Sequence, residues 1–364
     1  MQNRHPRGNY SENAFDFLRV TAASAVLFSH SYALYGLAEP KPIGSFTLGQ
    51  VAVFVFFAIS GYLVGQSWDR DPNPKRFTVR RALRILPGLF VAITFTTLVV
   101  GPIATTLPVM EYLLSPGTYK YFISNASLVV GVYELPGVFK NNPYPHSING
   151  SLWTLRYEVL MYAWLAIIGL LMSHKRVKAV CLLSLIFFSS SWYICRVFGI
   201  DQYKLPLPLI WQLGIGFDGI QIAMLGAFFF CGSCLYLFRT NVPLSVWIAI
   251  PLCIACALID SQVYAVVLAW ITIPYTAIVF AQMAPPLFRR LKGVDYSYGI
   301  YIYAFPIQQT VSLFGFHNGL GWFAALVISA LTTLALAATS WHFVEHPALT
   351  WKARLLPREK SGPM

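Results

Sequence analysis

The chain has 364 residues, of which 57% are hydrophobic, 16% aromatic and only 11% charged, a balance that excludes an ordinary soluble domain and points to a polytopic membrane protein. Its net charge of +12 raises the question of a nucleic-acid partner, but the basic residues lie in short segments between apolar runs and are not interleaved with a stacking face. No nucleic acid is expected, because membrane topology accounts for the charge.

Ten spans are expected from apolar length and charged flanks, at roughly 15–35, 47–67, 84–106, 152–172, 178–197, 219–238, 243–260, 262–283, 296–315 and 319–343. The fold class is therefore all-α, a helical membrane bundle with about ten transmembrane helices. One membrane domain over 1–346 and a short basic tail over 347–364 use up the chain. The first run, FDFLRVTAASAVLFSHSYALY, is too long for a cleavable signal, is interrupted by charge and lacks a small-x-small exit, so it reads as a retained span.

That first span carries Asp16, Arg19 and His30. Charged side chains at the centre of a spanning helix cost about 2.5 to 3.5 kcal/mol each, so something must offset them. At 100° and 1.5 Å per residue, Arg19 and His30 fall within ~20° of one face and ~16 Å apart, with Asp16 ~40° from His30 on the same side. Polar atoms aimed one way at two depths line a path rather than face lipid. The plainer readings are an Arg19 that snorkels to the interface and a His30 satisfied in the core.

The second span ends in FFAISGYLVG, where Gly61 and Gly65 form a small-xxx-small face for close helix contact and Ser60 is a candidate ligand contact. The following segment, RDPNPKRFTVRRALR, holds six Lys/Arg and reads as a cytoplasmic loop. Counted from it, the cytoplasmic segments hold nineteen of the twenty-six Lys/Arg, and both termini fall on the cytoplasmic side. Asp16 and Arg19 then sit near the inner face and His30 in the outer third. Arg81-x-x-Arg84 puts two guanidiniums on one face at the start of the third span, suited to a phosphate-bearing ligand, although orientation alone also accounts for them. Arg76 and Arg80 read as solvated neighbours.

The outer segment 107–151 contains YFISNASLVVGVY, too short to span and expected as a re-entrant or interfacial helix. In the fourth span Ser151, Thr154, Glu158 and Tyr162 form one stripe. Glu158 lies about two turns below the outer surface, at the depth inferred for His30, so it is expected to orient the imidazole. Pairing with an arginine is the alternative. Segment 198–218, with Pro206, Pro208 and Trp211, reads as an interfacial linker.

Cys231-x-x-Cys234 and Cys253-x-x-Cys256 have zinc-ribbon spacing, but both lie inside apolar runs without the turns of a zinc knuckle, and a packing role is expected. In the ninth span SYGIYIYAFPIQQ places Tyr298, Tyr301, Phe305 and Gln308 on one side, a path lining or a packed stripe. Glu345, at the end of the last span, is expected to neutralise an inner-side arginine.

These stretches together resemble the acyltransferase-3 family of integral membrane acyltransferases, which O-acylate bacterial polysaccharides, lipopolysaccharide, peptidoglycan and some small molecules. FDFLRVTAASAVLFSH is similar to the family's opening Arg-x10-His helix, FFAISGYL to its second-span motif and RRALRILP to its basic entrance to the third. NPYPHSINGSLWTLRYEVLMY resembles the variant in exopolysaccharide-type members, and SYGIYIYAFP and FVEHPA resemble the closing motifs. One departure stands out: Ala304 occupies the place where many members have a histidine two residues before the ninth-span proline. No extracytoplasmic hydrolase-like domain is seen, so the chain is expected to act alone or to pass its acyl group to a separate partner.

The resemblance implies a bacterial inner-membrane enzyme with acyl-CoA as co-substrate, acetyl being the commonest group in the family and succinyl an alternative. No permanently bound cofactor and no metal are implied. His30 is expected as general base with Glu158 holding its ring; Arg19, Arg81, Arg84, Asp16, Tyr298 and Ser60 as donor contacts; and Asn149, Trp153, Tyr162 and Tyr301 as acceptor contacts, with Ser29 and the segment near His146 as further candidates. The ~16 Å from Arg19 to His30 is comparable to an extended pantetheine arm. The expected partners are the bilayer, acyl-CoA and a glycan or glycolipid, with homo-oligomerisation open. A transporter or flippase of a lipid-linked glycan is the alternative, although related halves and interrupted helices are not visible; a scaffold without turnover is the third reading.

Overall fold

The computed structural model describes residues 13–44, 46–172, 174–200, 217–259, 261–289, 293–315, 318–351 and 355, with 174 and 175 described by backbone alone. Within these residues every regular element is a helix. Helix α1 spans Phe15–Ala33. Helix α2, Leu48–Arg70, starts at a capping box in which Thr47 and Gln50 satisfy each other's backbone amides. Helix α3 starts at Pro74, where the Asn73 side chain accepts from the Arg76 amide, runs to Phe95 and continues through a π turn at Thr96–Val100 to Ala104.

Two short helices follow, α4 (Val109–Leu114) and α5 (Pro116–Ser127). A 3-10 turn at Gly150–Leu152 leads into α6 (Trp153–Leu171), and α7 is His174–Val197. Next come α8 (Gly219–Leu237), α9 (Val246–Leu258) and α10 (Gln262–Met283). Helix α11 is Ser297–Gly315, and α12, Trp322–Ser340, continues through a π turn at Trp341–Glu345 into His346–Thr350.

The centre of the bundle is α8, packed on α2, α7 and α10, with Phe228, Phe229 and Phe230 fully buried. The approach of α2 to α8 is set by glycines. A Cβ at Gly61 would lie 1.8 Å from the Phe229 carbonyl oxygen, and one at Gly232 would lie 2.0 Å from that of Ala58. The small-residue face read from the second span is therefore a packing face. Helix α11 lies against α1 and α12, and α3 touches both α11 and α6.

Large apolar side chains such as Phe90, Leu98, Ile103, Ile167, Leu171, Leu183, Phe187 and Leu331 face outward. Buried amides and hydroxyls such as Gln308, Gln309 and Ser312 gather along α11. Apolar outside and polar within is the arrangement a bilayer demands. Seven helices among the described residues are long and apolar enough to cross a membrane, and the chain is a polytopic helical membrane protein.

Three expected spans fall short of that measure. Helix α9 has only 13 residues, a rise of about 20 Å against a hydrocarbon core of about 30 Å. Helices α1 and α11, 19 residues each, spend part of their length on the polar groups described below. Two other expectations need correction. The supposed basic loop is mostly helix, because Asn73 caps and Pro74 initiates α3 there, so the arginines occupy its first turns. The outer helix stops at Ser127, where Leu128 takes a left-handed conformation (φ 57°), so LVVGVY is irregular.

Cys231, Cys234 and Cys256 are buried, and Cys253 is exposed on α9. Among the described residues no three His, Cys, Asp or Glu side chains converge as a metal site. Residues 201–216 of the expected linker, and 352–354 and 356–364 of the tail, lie outside the described residues.

Candidate active site

The first turn of α1, the first turns of α3 and the segment entering α11 meet in an ionic cluster. Arg19 pairs with Asp16 on its own helix and reaches Asp295 at 3.3 Å, and Arg84 contacts the same Asp295 oxygen at 2.5 Å. The other Asp295 oxygen accepts from the Ser297 amide at 3.1 Å and from the Ser297 hydroxyl. Burial by itself would raise the Asp295 carboxyl, but the Arg19 and Arg84 guanidiniums and the Ser297 bonds outweigh it and hold the group at about 2. Arg19 is therefore tied to two carboxylates inside the protein. Arg80 and Arg76 reach Asp71, at 2.5 and 3.7 Å.

Arg81 differs from its neighbours. Its guanidinium lies over the rings of Phe77 and Tyr162, at 5.9 and 5.7 Å from their centroids, and no carboxylate pairs with it among the described residues. Arg19, Arg81 and Arg84 converge on an internal cavity of about 90 Å³, which Ser60, Glu158, Tyr162, Tyr298 and Tyr301 also line. A second, more open cavity shares the same three arginines and is bounded also by Arg80, Asp16 and Asp295. Arg19 and Arg84 are already paired with Asp16 and Asp295, so it is Arg81, with no carboxylate partner among the described residues, that makes the inner cavity a place for an anion.

The hydroxyl and carboxylate groups of the cavity wall are hydrogen-bonded. Glu158 accepts from Ser60 at 2.5 Å and from Tyr162. The Tyr298 hydroxyl donates to the Ile85 carbonyl at 2.8 Å, and the Tyr301 and Thr154 hydroxyls lie 2.6 Å apart. The stripe read on the ninth span thus divides. Tyr298 and Tyr301 line the cavity, while Phe305 and Gln308, farther along α11, touch α1.

His30 is at that farther level. Its ring meets Phe305 edge-on at 5.2 Å, its Nδ1 is buried without a hydrogen-bond partner, and the next turn of α11 is braced by Gln308 donating to the Leu27 carbonyl at 2.8 Å. His30 does not line the cavity. Since Phe305 follows Tyr301 by one turn, about 6 Å of rise separates the cavity wall from the level of the imidazole. The adjacent Ser29 hydroxyl bonds to Glu39, a carboxylate that entered no reading of the sequence.

Several expected partners are not brought together. Glu158 does not hold His30, because its carboxylate is engaged by Ser60 and Tyr162 on the cavity side. Asn149 is committed to the fold: its amide donates to the Ile302 carbonyl at 2.8 Å and its carbonyl caps the Ser151 amide at 3.2 Å. Trp153 packs edge-on against Tyr157 at 5.6 Å and does not line the cavity. Tyr162 and Tyr301 belong with the arginines, not at the His30 level. Asp16 lines the outer cavity through its pair with Arg19. Glu345 accepts from Ser340 at 2.9 Å and, as expected, interacts electrostatically with an inner-side arginine, Arg84, while Asp295 makes the direct contact to that guanidinium.

Asp295 is the residue that sequence reading passed over. The signal was an acidic residue directly before the ninth span, at the same membrane end as Arg19 and Arg84. It became meaningful only once α1, α3 and α11 were known to meet.

The acyltransferase domain of the acyltransferase-3 family matches residues 12–342. An "O-acetyl transferase" of Shigella phage Sf6 is 31% identical over 354 residues, covering 94% of this chain and 97% of that protein. "Nodulation protein 10" of Rhizobium leguminosarum bv. viciae is 29% identical over 379 residues, covering 99% and 98%. No solved structure matches the chain. With a domain match that contains the arginine cluster, the cavity and His30, and relatives aligned from end to end, the chain belongs to the acyltransferase-3 family of membrane acyltransferases.

Proposed function

We propose that the protein is an O-acyltransferase of a bacterial inner membrane. It moves an acyl group, acetyl by preference, from cytoplasmic acyl-CoA to a sugar hydroxyl of an exported polysaccharide or glycolipid. The observation that carries this reading is Arg81, a guanidinium without a carboxylate partner among the described residues that faces a cavity beside Arg19 and Arg84. Three guanidiniums suit the phosphates of coenzyme A, for which planar, multiply donating groups are the natural receptors. The excess of Lys/Arg at that end of the bundle supports a cytoplasmic orientation for it. The phage relative, an O-acetyl transferase, supports acetyl, and the family resemblance supports a glycan acceptor.

In this reading the pantetheine arm runs from the arginines along α1 past Tyr301 to the His30 level. The acceptor oxygen attacks the thioester carbon, so that a C–O bond forms and the C–S bond breaks. Neutral His30 takes the hydroxyl proton and returns it to the departing thiolate, a role typically contributing ~10² to 10⁴ in rate. Glu158 acts in the cavity as a positioning residue through Ser60 and Tyr162, and not on the imidazole.

The test uses the full chain in nanodiscs with acetyl-labelled acetyl-CoA, together with mass spectrometry of surface glycans from cells with and without the protein. Label is expected on the glycan, and His30→Ala should keep membrane insertion and acetyl-CoA binding while transfer falls by about 10² or more. Transfer surviving in His30→Ala would sink the reading. So would a wild-type protein that never uncouples label from coenzyme A yet moves glycan across vesicles, which is the flippase outcome.

A further inference from the structure

Beyond His30, on the side away from the arginines, the chain between α5 and α6 is held by a small set of buried amides. The Gln309 side chain donates to the carbonyls of Tyr144 and Ser147 at 2.7 and 2.8 Å, and Asn142 donates to the Gln309 side-chain and main-chain oxygens at 2.7 and 2.9 Å. Phe139 and His146 take left-handed conformations, with φ of 54° and 60°, that few non-glycine residues adopt. Among the aromatic side chains of this segment, Tyr144 is the one that stays exposed. Tyr144 is 44% exposed although its backbone is fixed, and its ring meets Phe305 edge-on at 6.1 Å, the same Phe305 that meets His30.

Held by a rigid backbone, the tyrosine packs one edge on Phe305 and leaves much of its ring at the surface. It is a pre-organised contact for something else, with little conformational entropy left to lose. Its place, two ring contacts from the imidazole, is where the acceptor has to be. The charged residues of this segment are Lys140 and an exposed Glu134–His146 pair at 3.9 Å, and the segment lacks the clustered cations that an anionic acceptor would need.

We propose that Tyr144 is the platform of the acceptor site and takes a neutral hexopyranose. The C–H face of the sugar lies on the phenol ring while a hydroxyl on its edge points past Phe305 to His30. The Asn142–Gln309 amides are the positioning residues of this platform. The inference rests on the reading of His30 as the acylation base, but its own content, a sugar subsite at Tyr144, can be measured without any turnover.

The experiment uses the full chain in nanodiscs and methyl α-hexopyranosides of the gluco, galacto, manno and rhamno series as probes. Saturation-transfer NMR records which sugar protons are close to the protein, and acetyl transfer from acetyl-CoA to the same sugars is followed in parallel. Wild type and Tyr144→Phe should saturate the ring C–H protons of at least one sugar, and Tyr144→Ala should abolish the effect. In the transfer assay Tyr144→Ala should raise acceptor KM at least tenfold and leave donor KM unchanged, with Tyr144→Phe close to wild type; a fold defect would move both constants. The proposal is overturned if no sugar binds wild type, or if Tyr144→Ala binds as wild type does. If sugar binding depends on Tyr144 but no acetyl group moves, the subsite stands and the acyltransfer reading fails.

Discussion

Asp295 offers the sharpest perturbation, because a single oxygen of its carboxylate serves two guanidiniums. Arg84 and Arg19 reach it at 2.5 and 3.3 Å, so their nitrogens are no more than about 6 Å apart. At an effective dielectric constant near 20, two like charges at that separation repel by about 3 kcal/mol. Asp295→Ala leaves that repulsion uncompensated, and removing one partner of a buried pair costs about 3–5 kcal/mol; the lower end, about 3 kcal/mol, is expected here because Asp16 still neutralises Arg19. Thermal unfolding of the purified protein in detergent should show a midpoint lower by at least about 5 °C. Adding Arg84→Met to the same chain should recover much of that loss, because it removes the stranded charge rather than the bond. Coenzyme A should raise the midpoint of Asp295→Ala more than that of wild type, its phosphates supplying the missing negative charge. An Asp295→Ala protein that unfolds at the wild-type temperature and gains no more from coenzyme A would refute the shared-oxygen account.

Other expectations follow from the same geometry. Asp295 has its carboxyl lowered from 3.8 to about 2, so its stabilisation is whole above the ordinary value and is lost as pH falls through the lowered one. The stability difference between wild type and Asp295→Asn should then stay flat between about pH 5 and 8 and close only under strong acid, in unfolding curves taken across pH. Arg81→Ala should raise donor KM about tenfold or more, whereas Arg80→Ala, whose guanidinium is already engaged by Asp71, should change it little; steady-state kinetics with varied acyl-CoA compares them. Gly61→Ala drives a methyl group into the Phe229 carbonyl at 1.8 Å, while Gly65→Ala finds ordinary contact at 3.7 Å. The first should destabilise by at least about 1–3 kcal/mol and reduce the yield of folded protein, and the second should behave as wild type in size-exclusion and unfolding assays.

The two ends of α1 show how far reading the sequence carries. Arg19 and His30 lie on one face by helical arithmetic alone, and Arg81-x-x-Arg84 shares a face for the same reason, so the cation cluster and the level of the imidazole could be read from spacing. Glu158 failed as a partner for His30 because equal depth in the membrane is not contact. The azimuth of α6 turns the carboxylate toward Ser60 and Tyr162 instead. The basic segment before the third span looked like a loop because charge density was read as solvation, while the Asn73-Pro74 helix start was overlooked.

By itself, then, the order of residues determined the membrane class, the helical periodicity, the family and the polar groups that need an explanation, since each depends on composition or on neighbours within one helix. Only the tertiary structure decided that Asp295 ties Arg19 to Arg84, that the cavity ends about one turn short of His30, and that Tyr144 stands exposed beyond Phe305. Those contacts join residues more than a hundred positions apart, and their geometry follows from how helices rotate against one another. No local period in the chain encodes that rotation.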